Sequence, residues 1–203
     1  MILKIHPDNP EQRLIGKAVE VLRAGGVAIY PTDTVYGIGC SVGNKSAIEK
    51  IYLIKRQRQD KPFSFVCADL KNISEYAHVS NAAFKTIKRL IPGPYTFILP
   101  AARMKHLPKI LISKRKTVGI RVPASPTTLA LVQALGHPIL STSVTTEEGE
   151  VLNDPGEIVR TFQHRVELII DGGLLTSEPS TVIDFTAEQP EIIRQGAGVV
   201  DVT

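Results

Sequence analysis

Cysteine is scarce in this chain: Cys40 and Cys67 are its two thiols in 203 residues, and neither sits in a C-x-x-C pair or near a histidine at ligand spacing. This argues against a disulfide framework or a metal site, and the expectation is two buried thiols of a cytosolic protein. Long apolar runs are missing too. None approaches the roughly 20 residues that a membrane-spanning helix needs, and the opening MILKIHPDNP has no signal-peptide pattern, so a cytoplasmic location without membrane association is expected. The P-loop, the dinucleotide-binding G-x-G-x-x-G and the nucleophile elbow G-x-S-x-G are all absent. His6, His78, His106, His137 and His164 stand outside nucleophile contexts. No catalytic triad and no protein-bound metal are expected, and a nucleotide would have to be held by side chains and strand ends.

What is present suits one α/β domain spanning residues 1–203, long enough to bury about 70% of its unfolded surface. The apolar share of 43% and charged share of 22% are those of a folded soluble protein, with no repeat or low-complexity segment. A net charge of +4 permits an anionic partner without requiring one.

The central stretch is GGVAIYPTDTVYGIGC, residues 25–40. Val27 to Tyr30 read as a strand buried on both faces, which Pro31 ends. Thr32, Asp33, Thr34 and Tyr36 follow at the strand exit, before Gly37 and Gly39 free the backbone. In an open α/β sheet such exits hold ligands, although the same side chains could simply satisfy a strand-to-loop corner. Before this stretch, Asn9 and Pro10 look like the N-cap and first position of a helix with Leu14, Ile15, Ala18, Val19 and Leu22 on one face. After it, Ser46 and Glu49 fit a capping box for a helix that runs into Lys55, Arg56, Arg58 and Lys61.

These cations could converge on phosphates or merely offset a helix dipole. Further strands are expected at Phe63–Cys67, Tyr95–Leu99, Thr117–Pro123, Ile139–Ser143 and Val166–Ile170, with capped helices starting at Ser125-Pro126 and Asp154-Pro155. Arg121 lies in an apolar strand and needs a partner or a ligand. Ser141, Thr142 and Ser143 end another strand. A closing hairpin, Thr181–Phe185 with Glu191–Arg194, brings Ser180, Thr181, Asp184 and Arg194 near the sheet. The basic stretch Lys105 to Lys116 could touch nucleic acid, and a solvated loop is the stronger expectation.

The stretches PTDTVYG, IKRQRQDKPF, PGPYTFILP, VGIRVP, LSTS, STVID and IIRQGAG, in that order, resemble the YrdC family of threonylcarbamoyl-AMP synthases over nearly the whole chain. The opening HPDNPEQRLI is most similar to the YciO branch. The resemblance implies a twisted mixed sheet flanked by helices, in a single α/β domain with a basic concave face. It implies condensation of L-threonine, bicarbonate and ATP, accompanied by Mg²⁺, into threonylcarbamoyl-AMP and pyrophosphate. The adenylate then feeds N6-threonylcarbamoyladenosine modification of tRNA by a separate transferase chain.

By motif, Thr34 and Arg121 would hold threonine, with Ser141 and Thr181 lining the same pocket. Lys55, Arg56 or Arg58, Lys61, Thr117, Ser143 and Arg194 would hold ATP, with Lys55, Lys61 and Arg194 acting on the chemistry. The chain departs from the family twice: Ser143-Val144-Thr145 stands for S-x-N, and Lys55-Arg56-Gln57 stands for K-x-R with Arg58 one place late. Both departures fall on the ATP side. They leave two alternatives: a tRNA- or double-stranded-RNA-binding protein without synthase activity, or an enzyme acting on another carbamoylated or adenylated compound.

Overall fold

The computed structural model describes residues 1–56, 63–71, 73–102, 116–176 and 178–200. Ten strands form one sheet: β1 (Ile2–Lys4), β2 (Ala28–Tyr30), β3 (Gly37–Ser41), β4 (Ser64–Val66), β5 (Tyr95–Pro100), β6 (Thr117–Arg121), β7 (Ile139–Ser143), β8 (Leu168–Asp171), β9 (Thr181–Asp184) and β10 (Glu191–Arg194). Their order across the sheet is β1-β8-β2-β3-β7-β4-β6-β5-β9-β10. The sheet is mixed, with parallel pairs such as β2–β8 and β4–β6 beside antiparallel pairs such as β3–β7 and β5–β6. The expected closing hairpin is there, as the antiparallel β9–β10 pair.

Among the described residues five α-helices flank the sheet: α1 (Gln12–Arg23), α2 (Lys45–Lys55), α3 (Asn81–Leu90), α4 (Pro126–Leu135) and α5 (Pro155–Phe162). The expected caps of the last two are present. Ser125 accepts the Thr128 N–H at 3.3 Å and Asp154 accepts the Glu157 N–H at 3.0 Å, each ahead of a proline in the first turn.

Two helix starts differ from the sequence-based expectation. Helix α1 begins at Gln12 rather than Pro10, because His6 Nδ1 accepts the N–H groups of both Asp8 and Asn9 at 3.2 Å and so holds that stretch as a turn. Asn44, not Ser46, caps α2: its side chain accepts the Ala47 N–H at 3.0 Å and the Ser46 hydroxyl at 2.9 Å, so no capping box forms.

A third difference lies beside the central stretch. Gly37 and Gly39 belong to a strand, antiparallel to β2, rather than to a loop. A Cβ on Gly39 would come within 2.5 Å of the Leu140 carbonyl oxygen, so glycine there serves close strand packing instead of a turn.

Two cores sandwich the sheet. One gathers Ile48, Ile51, Ile87, Ile158 and Phe162 from α2, α3 and α5 against Ile29, Ile38, Phe65, Phe97, Ile120 and Leu140. The other gathers Ile15, Ala18, Val19 and Leu22 of α1 with Leu131, Val132 and Leu135 of α4 against Ala28, Tyr30, Val66, Ile139 and Leu168. Side chains alternate faces along a strand. On β7, Ile139 therefore joins the α1/α4 core while Ser141 and Ser143, two and four residues on, point from that same face into a cleft. Helices α1 and α4 cover one part of this face, and polar side chains occupy the next.

Candidate active site

The cleft, about 240 Å³, is floored by the middle of the sheet and walled by Thr32, Tyr36, Phe63, Ser180 and Arg194. Its floor follows from register. Gly39 pairs with Ser141, Ser141 with Ser64, and Ser64 with Gly119, so four neighbouring strands place glycine or serine in one row. The row is tight: a Cβ on Gly119 would lie 2.8 Å from Ser64 Oγ, so that hydroxyl would have to move. Two positions further along β6 is Arg121.

Arg121 has the partner its burial demands. Its Nη2 lies 2.6 Å from Asp33 Oδ1 and donates to Thr34 Oγ1 at 2.7 Å and Thr32 Oγ1 at 3.3 Å. The other Asp33 oxygen accepts the Ala124 N–H at 2.9 Å. Both side chains of this ion pair are about nine-tenths buried, at 10% and 9% exposure, and the Arg121 Nε is buried with no hydrogen-bond partner among the described residues. The Thr32 hydroxyl donates to the Val35 carbonyl at 2.6 Å, which fixes the corner that presents Asp33 and Thr34. P-T-D-T closes a turn, and its carboxylate fastens an arginine from β6 at the cleft.

Across the cleft Arg194 donates from Nε and Nη2 to the Ser180 carbonyl at 3.1 and 2.7 Å. Burial, and then the charge of Arg121, holds its guanidinium below the usual arginine range. Among the described residues no carboxylate pairs with it. Ser180, on the same wall, shares a 2.9 Å hydrogen bond with Thr96. An anion entering the cleft would meet one guanidinium already neutralised by Asp33 and a second that is not.

Of the residues expected at the site, Arg121, Ser141, Thr117, Ser143 and Arg194 line the cleft. Thr34 is joined to it through Arg121. Thr181 is not on the wall: its fully buried hydroxyl donates to the Gly198 carbonyl at 2.6 Å and accepts the Gly196 N–H at 2.9 Å, tying down the chain after β10, while its neighbours Ser180 and Val182 face the cleft. Lys55 reaches the back of the cleft wall. Its ammonium donates to the Ser143 carbonyl at 2.8 Å and to Thr145 Oγ1. Arg56 points elsewhere, pairing with Glu147 at 2.6 Å at the surface.

Arg58 and Lys61 lie outside the described residues, as do all the cations from Lys105 to Arg115. Asp33, Thr32, Ser64 and Ser180 are site residues to which the sequence motifs assign no role. Thr32, Asp33 and Ser180 lie inside the stretches PTDTVYG and STVID, and Ser64 directly follows IKRQRQDKPF; the signal that sequence lacks is which strand lies next to which. Among the described residues no group of three or more histidine, cysteine or carboxylate side chains could hold a metal. No described helix is long and apolar enough to cross a membrane.

A profile described as Sua5_yciO_yrdC, telomere recombination, matches residues 20–196. The chain belongs to the Sua5/YciO/YrdC family. A Haemophilus influenzae protein is 49% identical to it over 197 residues, covering 96% of this chain and 94% of the relative. The crystal structure of Escherichia coli YciO superposes with a TM-score of 0.93 at 45% identity, covering 100% of this chain and 98% of that one. The P. abyssi Sua5 structure, complexed with L-threonine, superposes with a TM-score of 0.89 at 28% identity, covering 97% of this chain and 57% of that one.

As a Sua5/YciO/YrdC chain the protein has the mixed sheet and flanking helices that match the YciO and Sua5 structures. Its Thr145, where the motif resemblance leads one to expect asparagine, still supplies a side-chain oxygen to Lys55.

Proposed function

We propose that this chain binds L-threonine in the cleft and condenses it with bicarbonate and ATP into threonylcarbamoyl-AMP, releasing pyrophosphate and water. The observation that carries this reading is the pair of arginines across one cleft, of which Arg194 has no described carboxylate and Arg121 has one. Family membership and the likeness to Sua5 complexed with L-threonine support it. The product is the adenylate from which a separate transferase would move the threonylcarbamoyl group to tRNA adenosine, releasing AMP.

The chemistry suits what the cleft offers. The threonine amine attacks the carbon of bicarbonate and water leaves, giving a carbamate. A carbamate oxygen then attacks the α-phosphate of ATP, and the bond to pyrophosphate breaks. No protein nucleophile is needed; the work is positioning and offsetting developing negative charge. Arg121, held by Asp33 and Thr34, orients the threonine carboxylate. Arg194 faces the phosphate side, with the Thr117 and Ser143 hydroxyls beside it. With no carboxylate cluster among the described residues, magnesium fits this site as the counter-ion that ATP brings on its own phosphates.

The decisive experiment measures pyrophosphate release with ATP, threonine and bicarbonate, and threonine and ATP binding by calorimetry. Turnover above a boiled control is expected. Arg194→Ala should lower it about 100-fold, the usual loss for one charge-stabilising donor, while threonine affinity stays within about threefold. Absence of pyrophosphate release from the unmodified protein overturns the synthase reading.

A further inference from the structure

Among the described residues two buried side-chain polar atoms lack hydrogen-bond partners: Arg121 Nε and the phenol oxygen of Tyr30. Tyr30 is fully buried at the end of β2 and belongs to the α1/α4 core. Its ring crosses the two glycines of β3. A Cβ on Gly37 would sit 3.1 Å from Tyr30 Cζ and 2.9 Å from Ser141 Oγ, and one on Gly39 would sit 3.3 Å from Tyr30 Cε1. The phenol end of Tyr30 and the Ser141 hydroxyl thus converge over Gly37. Only glycine leaves that space free.

We propose that Tyr30 is a positioning residue for the cleft, donating its hydroxyl hydrogen to Ser141 Oγ so that the Ser141 hydrogen is turned into the cleft as a donor to an anionic substrate oxygen. A buried phenol left without a partner is unfavourable, and the Ser141 hydroxyl, which converges with it over Gly37, can relieve it. Burial pushes the Tyr30 phenol well above its ordinary range, and the Ser141 hydroxyl partly offsets that shift. The phenol therefore stays protonated and acts as the donor.

A serine hydroxyl has one hydrogen. Once its oxygen accepts from Tyr30, that hydrogen is free for the cleft, where Ser141 is one of the lining side chains. The serine then favours a carboxylate or carbamate oxygen over a ligand that must itself donate. This inference rests on the threonine reading above for its ligand, but not for the Tyr30–Ser141 contact itself.

The test is a double-mutant cycle with Tyr30→Phe and Ser141→Ala, read in two ways. Denaturant unfolding of the ligand-free variants reports the contact alone. Coupling of at least about fivefold in the unfolding equilibrium constant is expected, and purely additive effects overturn the proposal whether or not any ligand binds. Calorimetry reports the consequence: Tyr30→Phe should weaken threonine about tenfold, leave ATP affinity unchanged, and add nothing in the Ser141→Ala background. Coupled stability with unchanged threonine affinity would overturn the positioning role. If the unmodified protein binds no threonine, the functional reading falls, and the unfolding cycle still decides the contact.

Discussion

Arg121 carries more information than any other single residue of this sequence. An arginine inside an apolar strand must be paired or bound, because an uncompensated buried charge is prohibitively costly. Its need for a partner or a ligand is therefore legible in the sequence, while the partner itself is not: Asp33 lies 88 residues away and is brought to it only when β4 and β6 complete the sheet beside β7. Thr181 shows the converse. The motif places it in the pocket, but side-chain alternation sends its hydroxyl to Gly196 and Gly198, and its neighbours face the cleft. The Arg121 geometry makes a prediction of its own. Nη2 alone meets Thr32, Asp33 and Thr34, and a lysine ammonium, as a compact point charge, can neutralise Asp33 without presenting a fork to a second carboxylate. Arg121→Lys should therefore keep most of the stability, within about 1 kcal/mol by denaturant titration, yet weaken threonine at least about tenfold by calorimetry. An unchanged threonine affinity would mean that charge, not the planar fork, is what the cleft uses.

At the scale of elements, patterns carried by neighbouring residues are readable and those set by distant strands are not. Helices α4 and α5 announce themselves with Ser125-Pro126 and Asp154-Pro155, because a cap and its first turn are adjacent in sequence. Strand β3 does not, because GIGCS carries two glycines and glycine ordinarily weakens a strand. Its strand character comes from outside, from β2 and β7 pairing on either side. Two glycine substitutions separate these kinds of information. Gly39 needs no positive φ, so its intolerance is purely steric: a Cβ would press on the Leu140 carbonyl at 2.5 Å, a backbone atom that cannot rotate away. Gly39→Ala should cost about 1–3 kcal/mol, the usual penalty for overpacking, and should also impair threonine binding by parting β3 from β7 under the Ser141 row. Gly16, in the middle of α1 with nothing within 4 Å of its would-be Cβ, should do the opposite. Gly16→Ala is expected to stabilise by about 0.5–1 kcal/mol through helix propensity alone. Similar unfolding midpoints for the two variants would contradict this division between local and cross-strand control.

For the whole molecule, the two cysteines serve as reporters of how the sheet separates its layers. Cys40 on β3 and Cys67 just after β4 both belong to the core under α2, α3 and α5, on the face opposite the cleft. Burial pushes both thiols up to about 12, whereas in the unfolded chain they ionise near about 8.5. The sign follows directly. Below about pH 8.5 both states hold the proton and the thiols leave stability unaffected by pH; from there to about 12 the unfolded chain releases protons that the folded chain keeps, so stability falls as pH rises. Thiolate is also the form that reacts with alkylating agents. At about pH 8, in native buffer, neither cysteine should react with iodoacetamide over the time in which both react in denaturant. Saturating the cleft with threonine should slow the residual reaction only as far as it lowers global unfolding. A cysteine that reacts promptly in the native protein would show that the core opens locally beneath the cleft floor, and that the rows of serine and glycine above it rest on a less rigid layer than the packing of Ile38, Phe65 and Leu140 implies.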